Sequence, residues 1–227
     1  HTIFKCDWSS DVCSSDLPPR VVRDAVELVR DPLREAAPGG RWVHPSLWHL
    51  TLKFLGDVED ELVPAVADLA SEVAKRFEAF RIGLGGLGVY PNLERPRTLW
   101  VGSTQGAEQF EALASALDGG LDGLGFQPED EAIHPHLTIA RFRDNYEFGE
   151  LAGHIGPGDE IASFAVKELV LMRSVLRPRG PDYSVVDKLP LVIPEGFEAP
   201  EEDGETPAEP AGDAPVAETA DPSAAAE

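Results

Sequence analysis

Basic residues are scarce. Nineteen Lys and Arg stand against 41 Asp and Glu, and the formal charge of −22 excludes a protein that holds long nucleic acid or an anionic membrane by bulk attraction. Any chemistry on phosphate must therefore be local. Cysteine is nearly absent: Cys6 and Cys13 lie close to the start, so the body has neither a disulfide framework nor a thiolate metal site. No stretch approaches the roughly 18 apolar residues of a membrane span, and the start lacks the basic-then-apolar layout of a signal peptide. The chain reads as soluble and cytoplasmic. What is there, 227 residues with 42% hydrophobic, suffices for one sizeable core or two small lobes.

The two ends differ from the body. Residues 1–16, HTIFKCDWSSDVCSSD, begin without Met and show no sustained period, and they read as a foreign or irregular leader, a scar of cloning or sequence assembly in preference to an irregular natural extension. Residues 194–227 read as a disordered acidic tail. From Glu195 onward it holds eleven Asp and Glu, nine Ala and five Pro, which leaves little to bury. Without it the chain carries a charge of −11, so the body is only moderately acidic. The span 17–193 is then the folded domain.

Within that span three helices are predicted from apolar spacing: 18–37, 61–77 and 109–124. Between them lie strand candidates at Arg41–Val43, WHLTLKFLGD, FRIGLGGLGVY and TLWVGS, and after the third helix come HPHLTIARF, FAVKELVLMRS and PDYSVVDKLPL. Short strands joined through turns favour an antiparallel α+β arrangement over a doubly wound parallel sheet.

Two of these strands echo each other. His49-Leu50-Thr51-Leu52 and His136-Leu137-Thr138-Ile139 lie 87 residues apart. Side chains alternate along a strand, so His and Thr share one face while the apolar pair enters the core. Taken singly, either copy is commonplace. Two copies facing each other would make a cleft with an imidazole and a hydroxyl on each wall. In-line displacement at phosphorus requires one proton removed from the entering oxygen and another delivered to the leaving oxygen on the opposite side, and two opposed histidines suit it. The threonine hydroxyls can donate to the non-bridging oxygens.

The longer strings carry a resemblance. With Asp16-Leu17-Pro18-Pro19, RWVHPSLWHLTLKFLGDV, GGLGVYP, RPRTLWVG, GFQPEDE, HPHLTIAR and ELVLMRSVLRPRGPDYSVV, the chain resembles the two-histidine (2H) phosphoesterases from about residue 17 to 191. Its branch resembles the bacterial RNA 2′,3′-cyclic phosphodiesterase, or 2′-5′ RNA ligase-like, family. The resemblance implies two pseudo-symmetric α+β lobes, antiparallel sheets lining a central cleft and helices on the outer faces. It implies His49 as proton donor and His136 as proton acceptor, with Thr51 and Thr138 on the phosphoryl oxygens. Arg141 would lie near the phosphate or nucleotide, and Phe54 would be a ring to stack on a base. The expected substrate is an RNA end or a small cyclic nucleotide, acted on by a monomer without metal, cofactor or membrane. The family's apolar first strand is replaced here by the irregular leader. Strand alternation also places Arg141 and Phe54 opposite the histidines unless a bulge or the strand's end redirects them.

Other signals point less sharply. Gly83 to Gly88 match G-x-G-x-x-G, but Tyr90-Pro91-Asn92 follow where a dinucleotide site needs a helix, so the glycines are expected to serve bulges or close approach in a sheet. His44 and His134 precede prolines and read as exposed turn residues rather than zinc partners. His154 stands alone in a Gly-rich loop. Arg41, Lys53, Arg95, Arg97, Arg177, Arg179 and Tyr183 are candidates for a cationic rim, and Trp42, Trp48 and Trp100 for packing. Two readings besides RNA-end hydrolysis stay open: a 2H enzyme acting on small cyclic nucleotides or 2′-5′ oligonucleotides, and a nucleotide- or RNA-end-binding module without turnover.

Overall fold

The computed structural model describes residues 8–14, 18–129, 133–143, 146–177 and 180–198. Its elements follow in the order β1 (Trp8–Ser14), α1 (Arg20–Ala36), β2 (Arg41–Trp42), β3 (Leu50–Phe54), α2 (Val63–Ala74), β4 (Phe80–Tyr90), β5 (Thr98–Gln105), α3 (Ala107–Asp122), β6 (Leu137–Arg141), β7 (Gly156–Val166), β8 (Glu168–Arg177) and β9 (Gly180–Pro190). Each helix forms where the apolar spacing places it. In α1, Val22, Val26, Arg30 and Leu33 are buried at intervals of three and four, and Pro19 precedes the first turn, where a missing N–H costs nothing. In α3 the buried stripe is Phe110, Leu113, Ala114, Leu117 and Leu121.

The strands form one antiparallel sheet in the order β7-β4-β5-β6-β3-β1-β8-β9, with β2 also pairing β6. The order resolves into two halves of four. One half, β7-β4-β5-β6, is covered by α1; the other, β3-β1-β8-β9, is covered by α2 and α3. The strands that carry the two echoed motifs are the inner strand of each half. They meet at the seam through the pairing of Leu50 with Leu137, and β2 lengthens the seam beside β6. The two lobes expected from sequence are thus halves of a continuous sheet.

Three differences from the sequence reading have physical causes. FAVKELVLMRS, read as one strand, is divided at Lys167: Val166 ends β7 in one half, and Glu168 begins β8 in the other. Phe164, Ala165 and Val166 are buried, as are Leu169, Val170 and Leu171, so the runs on either side of Lys167-Glu168 are alike and read as one strand. Residues 8–14 of the leader occupy a sheet position, β1, paired with β3 and β8. Ladder bonds belong to the main chain, so a sequence without an apolar pattern can still fill a strand's place. Toward the other end, Phe197 packs against the core, four residues past the expected boundary, while 199–227 lie outside the described residues. The Gly83–Gly88 run lies inside β4 with register shifts, as expected of bulging glycines. A Cβ on Gly88 would collide with the Trp100 ring, so the missing side chain is what lets that ring lie against the strand.

Candidate active site

His49 and His136 each stand one residue before their strands, immediately ahead of the bridging pair Leu50 and Leu137. Extending that antiparallel pairing by one residue sets His49 opposite Thr138 and Thr51 opposite His136, all four on the face away from the buried leucines. In a regular ladder such diagonal histidines are on the order of 7–8 Å apart, room for one phosphoryl group. Each ring is fixed in the same way. Nδ1 of His49 donates to the Leu47 carbonyl at 2.8 Å, and Nδ1 of His136 donates to the His134 carbonyl at 2.8 Å. A carbonyl only accepts, so the proton is fixed on Nδ1 and Nε2 is left for chemistry in both neutral rings. Thr51 is 8% exposed in the floor between them, and Thr138 is half-buried.

The two strands share a second device. Along β3, Thr51 and Lys53 face the consecutive residues Cys13 and Val12 of β1, so β3 carries one extra residue at Leu52. Along β6, Thr138 and Ala140 face consecutive Trp100 and Leu99 of β5, so β6 carries one extra residue at Ile139. The bulges fall at the same place in each motif, three residues after the histidine. Each turns two successive residues inward: Leu52 with Lys53, and Ile139 with Ala140, all at most 2% exposed. The next residue then returns to the histidine face. Phe54 is exposed there and so is Arg141, which corrects the placement that plain alternation gives.

The Arg141 charge reaches both imidazoles. His49 is held below the ordinary histidine range first by burial, with Arg141 and His136 adding to the effect and the Leu47 bond opposing it. His136 is lowered in the same manner, first by burial, then by Arg141 and His134, against the bond to the His134 carbonyl. Aromatic rings pack against both imidazoles. Tyr183 meets His49 edge-on with centroids 5.3 Å apart, and Tyr90 meets His136 edge-on at 5.2 Å. Trp100 lies 6.0 Å from His136 and 5.3 Å from Tyr90. Trp100 is therefore part of the site wall as well as packing. Tyr183, a rim candidate, sits against a ring.

Other candidates go elsewhere. Lys53 is not on a rim: its side chain is 2% exposed and its ammonium bonds Asp118 at 2.6 Å, Glu129 at 3.1 Å and the Gln127 carbonyl at 2.7 Å. Burial works against its charge, but the two carboxylates prevail and hold its pKa above the usual lysine value. His44 caps the short turn Pro45–Leu47, accepting from the Ser46 N–H. His134 is exposed, yet its Nδ1 lies 2.6 Å from Glu111 Oε1 on α3. No sequence signal marked Glu111, whose partner is 23 residues away. Trp48 is buried beneath the Arg30 guanidinium, and Trp42 packs edge-on against Phe142. His154 ends an exposed turn, Arg95 and Arg97 are exposed, and Arg179 lies outside the described residues. Among the described residues no group of three or more His, Cys, Asp or Glu is placed to hold a metal ion, and no helix is long and apolar enough to cross a membrane.

An α+β molecule that brings two His-x-Thr strands to one seam, each imidazole latched to a main-chain carbonyl, has the architecture of a two-histidine phosphoesterase. The model of the 2′-5′ RNA ligase superfamily matches residues 18–177, and the chain belongs to that family. It is 34% identical over 165 residues to the RNA 2′,3′-cyclic phosphodiesterase of Methanothermobacter thermautotrophicus, covering 72% of this chain and 89% of that protein. The protein of the same name from Thermus thermophilus is 32% identical over 195 residues, covering 83% and 94%. Among solved structures, one from Thermus thermophilus superposes with a TM-score of 0.69 at 28% identity, covering 81% of this chain and 97% of that one. Escherichia coli LigT in complex with 3′-AMP shares the fold, with a TM-score of 0.65 at 24% identity over 80% of this chain and 97% of its own.

Proposed function

We propose that this protein hydrolyses 2′,3′-cyclic phosphate ends of RNA to 2′-phosphates by general acid and base catalysis. The observation that carries the reading is the matched pair of Nδ1–carbonyl bonds, which leaves Nε2 of both histidines for substrate on one face of the seam. In the forward step Nε2 of His136 takes a proton from water as the water oxygen bonds to phosphorus. The bond from phosphorus to the ribose 3′ oxygen breaks, and Nε2–H of His49 protonates that oxygen. Thr51 and Thr138 donate to the non-bridging oxygens, and Arg141 balances the charge that builds on them. Phe54 offers its exposed ring to the terminal base. The incoming phosphodiester anion counters the effect of burial on His49 and favours the protonated acid. Both proton transfers are supplied by side chains, so the mechanism requires neither metal nor cofactor.

The test is incubation with a cyclic-phosphate-ended oligonucleotide, with and without EDTA, and identification of the phosphate position in the product. A 2′-phosphate formed equally in both arms is expected. His49→Ala and His136→Ala should each lower kcat by roughly 100- to 10,000-fold; full activity in both would remove the mechanism.

A further inference from the structure

Two arginines stand opposite each other on paired strands, with no acidic side chain paired to either among the described residues. Arg41 of β2 and Arg141 of β6 are direct partners across an antiparallel ladder, and directly opposed residues share a face. That face is the histidine face. The bulge turns Arg141 onto it, while Trp42, next to Arg41, points the other way and donates its indole N–H to the Ala37 carbonyl at 3.1 Å. Both arginines are exposed.

Like charges directly opposed destabilise a ladder. This chain has 41 Asp and Glu with which to relieve them. Some of its cations are paired with them: Arg30 with Glu27 and Asp31, Arg173 with Asp60 and Lys53 with Asp118. Neither Arg41 nor Arg141 has an acidic partner among the described residues. What sets these two apart is that they oppose each other on the histidine face, where an anion would relieve both, and a planar guanidinium suits phosphate oxygens in particular. The pair lies four residues along β6 from the Leu50–Leu137 bridge. At strand rise that is on the order of 12 Å between backbone positions; the charge of Arg141 reaches back to both imidazoles and so to the phosphoryl group between them, while Arg41 beside it is placed for that group's neighbour.

Building on the reading that the seam holds a cyclic phosphate, we propose that Arg41, together with Arg141, forms a subsite for a second phosphate, the internucleotide diester on the 5′ side of the terminal nucleotide. The substrate class is then an oligonucleotide with at least one such linkage, preferred over a cyclic mononucleotide.

The experiment compares wild type, Arg41→Gln and Arg41→Lys on adenosine 2′,3′-cyclic phosphate and on a diadenylate ending in the same cyclic phosphate. Arg41→Gln is expected to lower kcat/KM roughly tenfold more on the dinucleotide than on the mononucleotide, mainly through KM, with Arg41→Lys between. The slope of log(kcat/KM) against log salt on the dinucleotide should flatten by about 0.7, the share of one single-strand phosphate contact. Calorimetric titration of the 2′-phosphate products, mononucleotide and dinucleotide, reads the same selective loss without turnover. An equal loss on both ligands, or none on either, would overturn the subsite. A wild type that binds both products and hydrolyses neither substrate would refute the catalytic reading instead, and leave the subsite to be judged by the titrations.

Discussion

His49 and His136 are both held below the ordinary histidine value of 6.5, chiefly by burial, so in the free enzyme each tends toward the neutral ring. The rings feel one another and share the Arg141 charge, so the protons leave in steps that belong to the pair. The expected kcat/KM profile is a bell whose two inflections both lie below pH 6.5, measured on a cyclic diester that does not itself titrate there. The same shifts bear on stability. Below an unfolded-state value near 6.5 the unfolded chain takes up protons that the folded rings resist, so the stabilisation is complete above it and is lost as pH falls through the folded values. Urea midpoints should decline between about pH 7 and pH 5, and the double variant His49→Gln, His136→Gln should flatten that decline.

The segment entering β6 is tied to α3 by the contact between Glu111 and His134, and the His134 carbonyl in turn holds the His136 ring. Glu111→Ala is expected to lower kcat roughly tenfold with little change in KM, since it loosens a ring without touching the substrate; Glu111→Gln, which keeps an acceptor, should lose less. The helices and most strands were legible in the sequence because amphipathic spacing is a local signal: Val22, Val26 and Leu33 announce α1 without reference to anything else. The two histidines that the seam brings together were legible because the motif occurs twice. The side of the sheet on which Arg141 and Phe54 emerge was not, because a bulge is a relation between two strands and is visible only once Thr138 and Ala140 are matched to Trp100 and Leu99. The break at Lys167 was hidden for a related reason, since both flanks are equally apolar. Glu111 and the Lys53 partners escaped because each joins residues far apart in sequence whose types are ordinary for a surface.

Taken whole, the molecule is two half-sheets that meet at a narrow seam, and the site sits on it. Lys53 fastens this arrangement from behind: it leaves the strand that carries Thr51 and holds Asp118 on α3 together with Gln127 and Glu129, on the segment that leads toward the second motif. Lys53→Met is expected to lower stability by about 2 kcal/mol in urea unfolding, less than for a fully buried pair because Asp118 and Glu129 keep access to water. The chain as a whole carries a charge of −22, so a polyanion would be repelled at long range and any hold on one must come from local cations such as Arg41 and Arg141. The matched bulges also make the two strands tolerant of one particular loss. Deleting Leu52 or Ile139 would leave both His-x-Thr motifs intact and make Thr51 and Lys53, or Thr138 and Ala140, as consecutive as the residues they face. The ladder would become regular, with the guanidinium of β6 and the ring of β3 still on the histidine face, at the expense of one buried side chain and of the local bend that a bulge gives its strand.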